Sequence, residues 1–169
     1  AQAQSDTTVL DSIDTLIEVL QAEFQRLRQR IDAHIDRHPR LRSDLQLLES
    51  IPGIGDKLAR RLLALMHTYR FQRASQMAAY LGLVPQIHPS GKIQRPARLS
   101  KRGDAQLRAL LYFPAIVAQK HNPDIAAQWR RLADAGKSRM ACIGAAMRKL
   151  VQIAFGVIKT QTPYTPQRG

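Results

Sequence analysis

Residues 45–66 read LQLLESIPGIGDKLARRLLALM, and this stretch predicts two helices joined by a tight turn. The runs on either side suit amphipathic helices, because leucine, alanine and arginine all favour helical backbone. The turn lies at Ile51-Pro52-Gly53-Ile54-Gly55, where two glycines one residue apart can take positive φ and approach another molecule closely. Asp56 stands in position to cap the second helix.

The turn and the basic helix that follows it resemble a helix-hairpin-helix element. In that motif the hairpin amides and the N-terminus of the next helix face a DNA phosphate, and Lys57, Arg60 and Arg61 would add positive charge nearby. We therefore predict that Gly53, Gly55 and Lys57 contact nucleic acid. The alternative is that the two glycines only make a compact turn between helices.

A long helix is predicted towards the N-terminus, over residues 10–34. Its apolar positions follow the three-four spacing that is typical of a coiled-coil seam. They are Leu10, Ile13, Ile17, Leu20, Phe24, Leu27 and Ile31. Pro39 is expected to close the segment, since proline lacks an amide hydrogen. We predict that residues 1–40 form a coiled-coil oligomerisation helix, giving a homodimer or homotetramer; a helix folded back on its own domain is the alternative.

Towards the C-terminus, a short helix is predicted at 74–81 and ends at Gly82. Residues 83–99 then hold three prolines, which forbid a helix and confine any strand to an edge, so an irregular loop or hairpin is expected there. Three further helices are expected at 104–120, 123–135 and 138–159, opened by Ser100, Pro123 and Ser138, with a frayed tail from Thr160.

Composition favours the same fold class. Hydrophobic residues make up 44% of the 169, but aromatic residues only 5%, and leucine, isoleucine and alanine dominate the apolar set. We therefore predict a mainly α protein, with the coiled-coil helix at 1–40, a compact helical domain at 41–164 carrying a helix-hairpin-helix element and a proline-rich irregular loop, and a tail at 165–169.

The net charge of +13 is unevenly distributed. Residues 1–50 carry a balance of −3, so residues 51–169 carry +16. Such a field attracts phosphate backbones, which predicts a nucleic-acid partner; a merely solubilising surface explains the asymmetry poorly.

Cys142 has no second cysteine to pair with, and neither a membrane-length apolar run nor a secretion signal is seen, so a cytoplasmic location is expected. The start at Ala1, without Met, suggests a piece of a longer protein.

The loop at 83–99 holds the best candidate for chemistry. Ser90 precedes Gly91. Between positions 92 and 108 the sequence contains six basic residues and a single acidic one, Asp104. Cations at that density bind phosphate, and a hydroxyl among them can attack a phosphodiester because they stabilise the charge of the transition state. A Ser-Gly pair alone more often caps a turn. His88 can accept the serine proton or can be an idle surface histidine.

Four segments in register resemble the transposase domain of the insertion-sequence 110 family, over about residues 45–164. They are LLESIPGIGDKLA at 47–59, AAYLGLVP at 78–85 followed by Ser90-Gly91, LSKRGDAQLRALLY at 99–112 and AMRKLVQIAFGVIK at 146–159. In that family an N-terminal domain similar to a Holliday-junction resolvase supplies acidic residues that bind magnesium. A coiled coil joins it to a domain whose serine becomes covalently linked to DNA, and a structured RNA selects the DNA sites.

The resemblance implies that Ser90 is the nucleophile and that Gly91 lets the DNA strand approach it. Charge then suggests a phosphate clamp of Lys92, Arg95, Arg98, Lys101 and Arg102. The chain departs from the family in having no resolvase-like domain, and its acids after residue 50 are scattered, so we expect no metal site in this chain and Mg²⁺ in the N-terminal domain that it lacks.

The expected function is therefore serine-dependent cleavage and rejoining of DNA in transposition, with DNA, a guide RNA and further copies of the chain as partners and no membrane. The isolated chain is expected to bind but hardly to cut. A non-catalytic helix-hairpin-helix binding module and a structural oligomerisation piece are the alternatives. Trp129 and Tyr112 are expected to be core residues rather than platforms for base stacking.

Overall fold

The computed structural model describes residues 2–86, 98–100 and 102–167, with side chains at 9–85, 99–100 and 102–167. Within these ranges the chain forms α1 (Gln2–Asp36), α2 (Pro39–Glu49), α3 (Asp56–Thr68), α4 (Ala74–Tyr80), β1 (Pro85–Gln86), β2 (Arg98–Leu99), α5 (Ala105–Leu110), α6 (Tyr112–His121), α7 (Pro123–Asp134) and α8 (Arg139–Thr160). The predicted mainly α fold is confirmed. Two compact units are present, residues 1–42 and 43–169.

Helix α1 makes up most of the first unit. All seven side chains of the predicted seam are exposed, between 44% and 68%. The helix ends at Asp36, and Pro39 begins α2 rather than only closing the segment before it. A proline fits the first turn of a helix because the amide hydrogen that it lacks would have no partner there. Coiled-coil pairing of α1 stays a prediction.

The core of the second unit is built around α8, which packs against α4, α6 and α7. Its start is confirmed, since the Ser138 hydroxyl accepts a hydrogen bond from the Ala141 amide at 3.3 Å. The largest fully buried apolar side chains are Leu48, Ile51, Leu62, Met77, Leu81, Leu83, Leu111, Ile125, Ile143, Leu150 and Val151. Some of them precede the proline-rich segment in sequence and others follow it, so both parts of the second unit contribute to one core.

The predicted helix at 104–120 is two helices. Asp104, not Ser100, caps α5, and its carboxylate accepts from the Leu107 amide at 2.8 Å. The helices meet at Leu111, and Pro114 lies in the first turn of α6. A proline at that position cannot donate to the carbonyl one turn before it, so a continuous helix would lose a backbone hydrogen bond. The break at Leu111 removes this conflict.

The predicted cap of α3 is also displaced by one residue. Gly55 holds the extended cap position, and Asp56 is the first helical residue. The Asp56 carboxylate instead accepts from Arg60 Nε at 2.7 Å, one turn along the helix. The end of α4 agrees with its prediction, because Gly82 follows the C-cap residue with a φ of +67°.

The tail is held against the domain, and the prediction that it is frayed is wrong for residues 161–167. The Tyr164 amide donates to Ser50 Oγ at 2.9 Å, and the Gln167 amide donates to Asp124 Oδ1 at 3.1 Å. The Tyr164 hydroxyl lies 2.8 Å from Asp124 Oδ2 and 2.9 Å from Asn122 Oδ1. Burial, and then the hydrogen bond to Asp124, raises the pKa of Tyr164 to about 12.

A buried carboxylate adds a second attachment. Asp44, only 1% exposed, accepts from Gln161 Nε2 at 2.7 Å and lies 2.8 Å from His67 Nε2. Burying a carboxylate is costly unless its oxygens are paired, and here both are. Asp44 therefore joins α2, α3 and the end of α8.

Helix α8 is long and apolar enough to cross a membrane by length and composition alone. Half of its apolar stretch is buried inside the second unit. Its apolar composition is accounted for by its place as the central helix of that core.

Candidate nucleic-acid interface

A short antiparallel pairing joins the two ends of the proline-rich segment. Pro85 lies opposite Leu99 and Gln86 opposite Arg98. The Ser100 amide extends the pairing by donating to the Val84 carbonyl at 2.9 Å. The two described ends of the segment, which was predicted to be a loop or an irregular hairpin, are therefore paired and form the hairpin base.

Most of the predicted catalytic and phosphate-binding residues lie between these two strands in sequence or directly after the second one. Ser90, Gly91, Lys92, Arg95 and Lys101 lie outside the described residues, together with His88. Arg98 belongs to β2 through its backbone. Arg102 is described and exposed. Of the predicted clamp, Arg102 is thus the member whose side chain is seen to reach solvent.

Backbone packing fixes the hairpin base to the end of α4. Gly103 has a φ of +131°, and a Cβ atom built there would collide with the Tyr80 carbonyl oxygen. The next amide, that of Asp104, donates to the same oxygen at 3.3 Å, and Arg108 Nη1 donates to the Leu81 carbonyl at 3.2 Å. Glycine is required at 103 both for its φ and for its close approach.

The second strand also rests on the central helix. A Cβ built at Gly144 of α8 would lie 3.1 Å from Leu99 Cδ1, closer than ordinary van der Waals contact. Gly144 itself is buried. The hairpin base is therefore attached to the core through Leu99 as well as through Gly103.

The two glycines of the turn between α2 and α3 have different surroundings. Gly53, with a φ of +100°, packs on α6, and a Cβ built on it would lie 2.6 Å from Ala118 Cβ and 3.0 Å from the Pro114 carbonyl oxygen. Gly55 is exposed and nothing lies within 4 Å of its built Cβ. Lys57 is exposed as well. The turn presents Gly55 and Lys57 to solvent, while Gly53 contacts the protein interior.

Asn122 supports the same turn and was missed by sequence reasoning. Its side chain is fully buried, and its Nδ2 approaches the Pro52 carbonyl at 3.4 Å while its Oδ1 accepts from the Ile125 amide at 3.3 Å. An asparagine before a proline-initiated helix does predict a cap. The contact with Pro52, seventy residues away, carries no local signal.

A groove lies beside this turn, and its volume is about 390 Å³. The groove is lined by residues 55–58 and by Ala109, Leu110, Phe113 and Pro114. Phe113 is 73% exposed, the largest value for a bulky apolar side chain among the described residues. Sequence reasoning considered Tyr112 and Trp129, both of which are half-buried, and overlooked Phe113.

A cluster of three aromatic rings lies where α4 meets the hairpin base. The ring centroids of Tyr69 and Tyr80 are 4.7 Å apart, and those of Phe71 and Tyr80 are 5.8 Å apart. A hydrogen bond with the Tyr69 side chain, followed by burial, raises the pKa of Tyr80 above its ordinary value. Sequence reasoning did not identify this cluster, because its members come from different elements.

The acidic side chains of the described residues are scattered over the domain. Across 2–86, 98–100 and 102–167, no three His, Cys, Asp or Glu side chains come together in a way that could hold a metal ion. Asp44, Asp56, Asp104 and Asp124 are instead each engaged by a hydrogen bond from a neighbouring group. The described part of the chain does not fit a magnesium site.

Sequence comparison identifies the proteins that this chain is similar to. Residues 45–130 match the profile of the transposase IS116/IS110/IS902 family. A pilin gene-inverting protein of Moraxella bovis is 35% identical over 129 residues, which cover 75% of this chain and 40% of that protein.

Two transposases are similar over comparable lengths. A probable family 20 transposase of Pseudomonas aeruginosa is 31% identical over 155 residues, 89% of this chain and 44% of that protein. The transposase for insertion sequence element IS1111A of Coxiella burnetii is 32% identical over 126 residues, 72% of this chain and 34% of that protein. The chain spans about two fifths of the length of the curated relatives it matches.

Proposed function

The chain belongs to the IS116/IS110/IS902 transposase family, and on that premise we propose that it cleaves and rejoins DNA strands through Ser90. The serine Oγ attacks a backbone phosphorus and forms a new P–O bond. A bridging P–O bond breaks, and the freed deoxyribose oxygen takes up a proton while the serine gives one up. Attack by another deoxyribose hydroxyl on the phosphoserine reverses these changes, so that the energy of the phosphodiester is kept for rejoining.

The observation that carries this proposal is the pairing of the two short strands at the hairpin base. Residues 85–86 pair with 98–99, and Gly103 anchors the returning strand against α4. A nucleophile needs a defined position relative to the phosphate that it attacks, because misplacement by about 1 Å costs about a hundredfold in rate. Because both ends of the segment that contains Ser90 are held on the folded domain, they support the positioning of the serine.

Positive charge would serve binding and reaction together. In the proposed site Lys92, Arg95, Arg98, Lys101 and Arg102 clamp the phosphates on either side of the scissile bond, and Gly91 leaves room for the strand. These cations would stabilise the transition state most strongly, because the phosphoryl oxygens gain negative charge there. The exposure of Arg102 supports this assignment for the part of the clamp that is described.

The turn between α2 and α3 is proposed as a second DNA contact. Gly55 and Lys57 are exposed there, which suits a backbone amide and an ammonium group that approach a phosphate. Gly53 would serve this contact indirectly, by seating the turn on α6. The helix-hairpin-helix identity of the element is part of this proposal.

Magnesium and the remaining partners are proposed from the family resemblance alone. The described residues do not fit a magnesium site, so the ligands of the metal would lie outside them. A structured guide RNA would select the DNA sites. Pairing of the exposed α1 seam would assemble two or four copies, since such a stripe is stabilised by a partner helix. The cytoplasm, at the nucleoid, is the proposed location.

A non-catalytic binding module is the second candidate. The exposure of Gly55 and Lys57 favours it as much as it favours a recombinase, because both need a phosphate contact at the turn. In this alternative Ser90 is an ordinary turn residue, and the chain binds DNA without forming a covalent link.

Trapping of the covalent link separates the two candidates. The complete gene product is incubated with a DNA substrate nicked near the scissile bond, so that the released strand diffuses away, and adducts are resolved on a denaturing gel. We expect adducts that are lost in Ser90→Ala with DNA affinity unchanged. Ser100→Ala, on the same hairpin but beyond β2, is the matched control and should form adducts normally. Persistent adducts in Ser90→Ala would refute the serine mechanism.

A further inference from the structure

The groove beside the α2–α3 turn contains an aromatic ring that the protein itself leaves uncovered. Phe113 is 73% exposed, and Val117, one turn further along α6, is 48% exposed. An isolated exposed apolar residue needs no explanation, but here the ring lies in a groove of about 390 Å³ whose walls are mainly apolar. Such a site is large enough and apolar enough to receive a flat ligand.

The ring is also held in place. Tyr112, which is half-buried, contacts Phe113 with ring centroids 5.4 Å apart and an interplanar angle of 89°. An edge-to-face contact of this kind is a preferred arrangement of two aromatic rings. Phe113 is 73% exposed in spite of this contact, so most of its side chain is accessible to a ligand.

The charge at the groove indicates which flat ligand. Lys57 also lines the groove and is exposed, and Arg61 lies one helical turn beyond it on α3, also exposed. The acid among the lining residues, Asp56, is paired with Arg60. Within the described part of the chain the groove thus combines an open aromatic ring with positive charge, which is the combination that binds single-stranded nucleic acid through base stacking and phosphate pairing.

We propose that this groove binds an unpaired base of the DNA, stacked on Phe113, with the adjoining phosphate paired to Lys57. The inference rests on the proposed DNA function and adds a subsite to it. In a duplex each base is paired and is stacked between its neighbours, so the groove, which is proposed to hold a single base, takes one that is unpaired or flipped out of its pair. Strand cleavage exposes such bases, and the subsite would hold a free strand end while it awaits rejoining.

Binding to two DNAs tests the proposal. One is a blunt duplex and the other is the same duplex with a single-stranded extension, both labelled for fluorescence anisotropy with the 169-residue chain. Phe113→Ala should weaken binding to the extended DNA by about 5- to 150-fold, the range for loss of one stacked base, and leave the affinity for the blunt duplex unchanged. Phe113→Trp should restore the preference.

Two further variants separate stacking from charge and from non-specific effects. Lys57→Ala should weaken binding to both DNAs and reduce the magnitude of the slope of log affinity against log salt concentration by about one. Met140→Ala removes a side chain of similar exposure, 63%, on another helix and should change neither affinity.

The outcomes distinguish this subsite from the proposed function. Ser90→Ala should bind both DNAs normally, so failure of the serine mechanism leaves the stacking result intact. Equal effects of Phe113→Ala on the two DNAs, or no effect on either, would overturn the proposal while wild-type binding to the blunt duplex still supports a DNA-binding protein. An effect of Phe113→Ala seen only with RNA of the same sequence would overturn the assignment to DNA.

Discussion

Substitution of Gly53 by alanine should destabilise the second unit strongly. An L residue forced into a left-handed backbone costs about 1–2 kcal/mol, and Gly53 has a φ of +100°. The added methyl would also lie 2.6 Å from Ala118 Cβ, a group on α6 that has no rotamer by which to move away. Overpacking of this kind costs about 1–3 kcal/mol. The free energy of unfolding should therefore fall by about 2–5 kcal/mol.

Two other glycines provide matched controls. Gly136 has a φ of +71° but nothing within 4 Å of its built Cβ, so Gly136→Ala should cost only the backbone term of about 1–2 kcal/mol. Gly55 has an extended backbone with a φ of −91° and open space around it, so Gly55→Ala should cost less than about 1 kcal/mol. The three variants thus separate the cost of the contact with α6 from the cost of the backbone.

Thermal unfolding followed by circular dichroism measures the difference. For a chain of this length each kcal/mol shifts Tm by about 2–4 °C, so Gly53→Ala should melt roughly 4–20 °C below the wild type. If Gly53→Ala and Gly136→Ala melt at the same temperature, the close contact between the turn and α6 is absent and the reasoning fails. If Gly55→Ala is as damaging as Gly53→Ala, the division of roles between the two glycines is wrong.

Two further predictions concern the tail and the first helix. Because the pKa of Tyr164 is raised from 10.0 to about 12, its hydroxyl stabilises the fold below pH 10, and this contribution is lost as the pH rises towards 12. Urea titrations at pH 9 and 11.5 should therefore show a smaller fall in the free energy of unfolding for Tyr164→Phe than for the wild type. Equal falls in the two proteins would contradict the contact with Asp124. Deletion of residues 1–38 should convert an oligomer into a monomer in light scattering, whereas a monomer in both forms would refute the pairing of the α1 seam.

Helix positions could be predicted from the sequence where the deciding interaction is local. Ser138 caps α8 through an amide three residues away, and Gly82 ends α4 through its own φ. The predicted single helix at 104–120 was wrong, although Asp104 and Pro114 are both local signals for the observed boundaries. The error was to give the cap to Ser100, when a carboxylate three residues before the Leu107 amide was available.

The tail could not be predicted in this way. Its composition, with two prolines and polar residues, is typical of a frayed end. What holds it is a set of partners distant in sequence, among them Asn122, which is 42 residues from Tyr164. A polar side chain that is fully buried must find such partners, but the sequence around Asn122 does not indicate which they are.

The sequence predicted that a nucleic-acid surface lies at the α2–α3 turn, but it did not indicate which residues of the turn would be free to form it. A glycine pair in a turn before a basic helix indicates a phosphate contact, but the same pattern also fits a turn packed on another helix, and the sequence could not choose between them. In the structure Gly53 packs on α6, as the second interpretation requires, whereas Gly55 faces solvent and its phosphate contact stays a prediction. Because α6 also carries Phe113, the packing of Gly53 brings the turn and the exposed ring to one groove. The contact that stabilises the fold therefore also assembles the surface proposed to bind DNA.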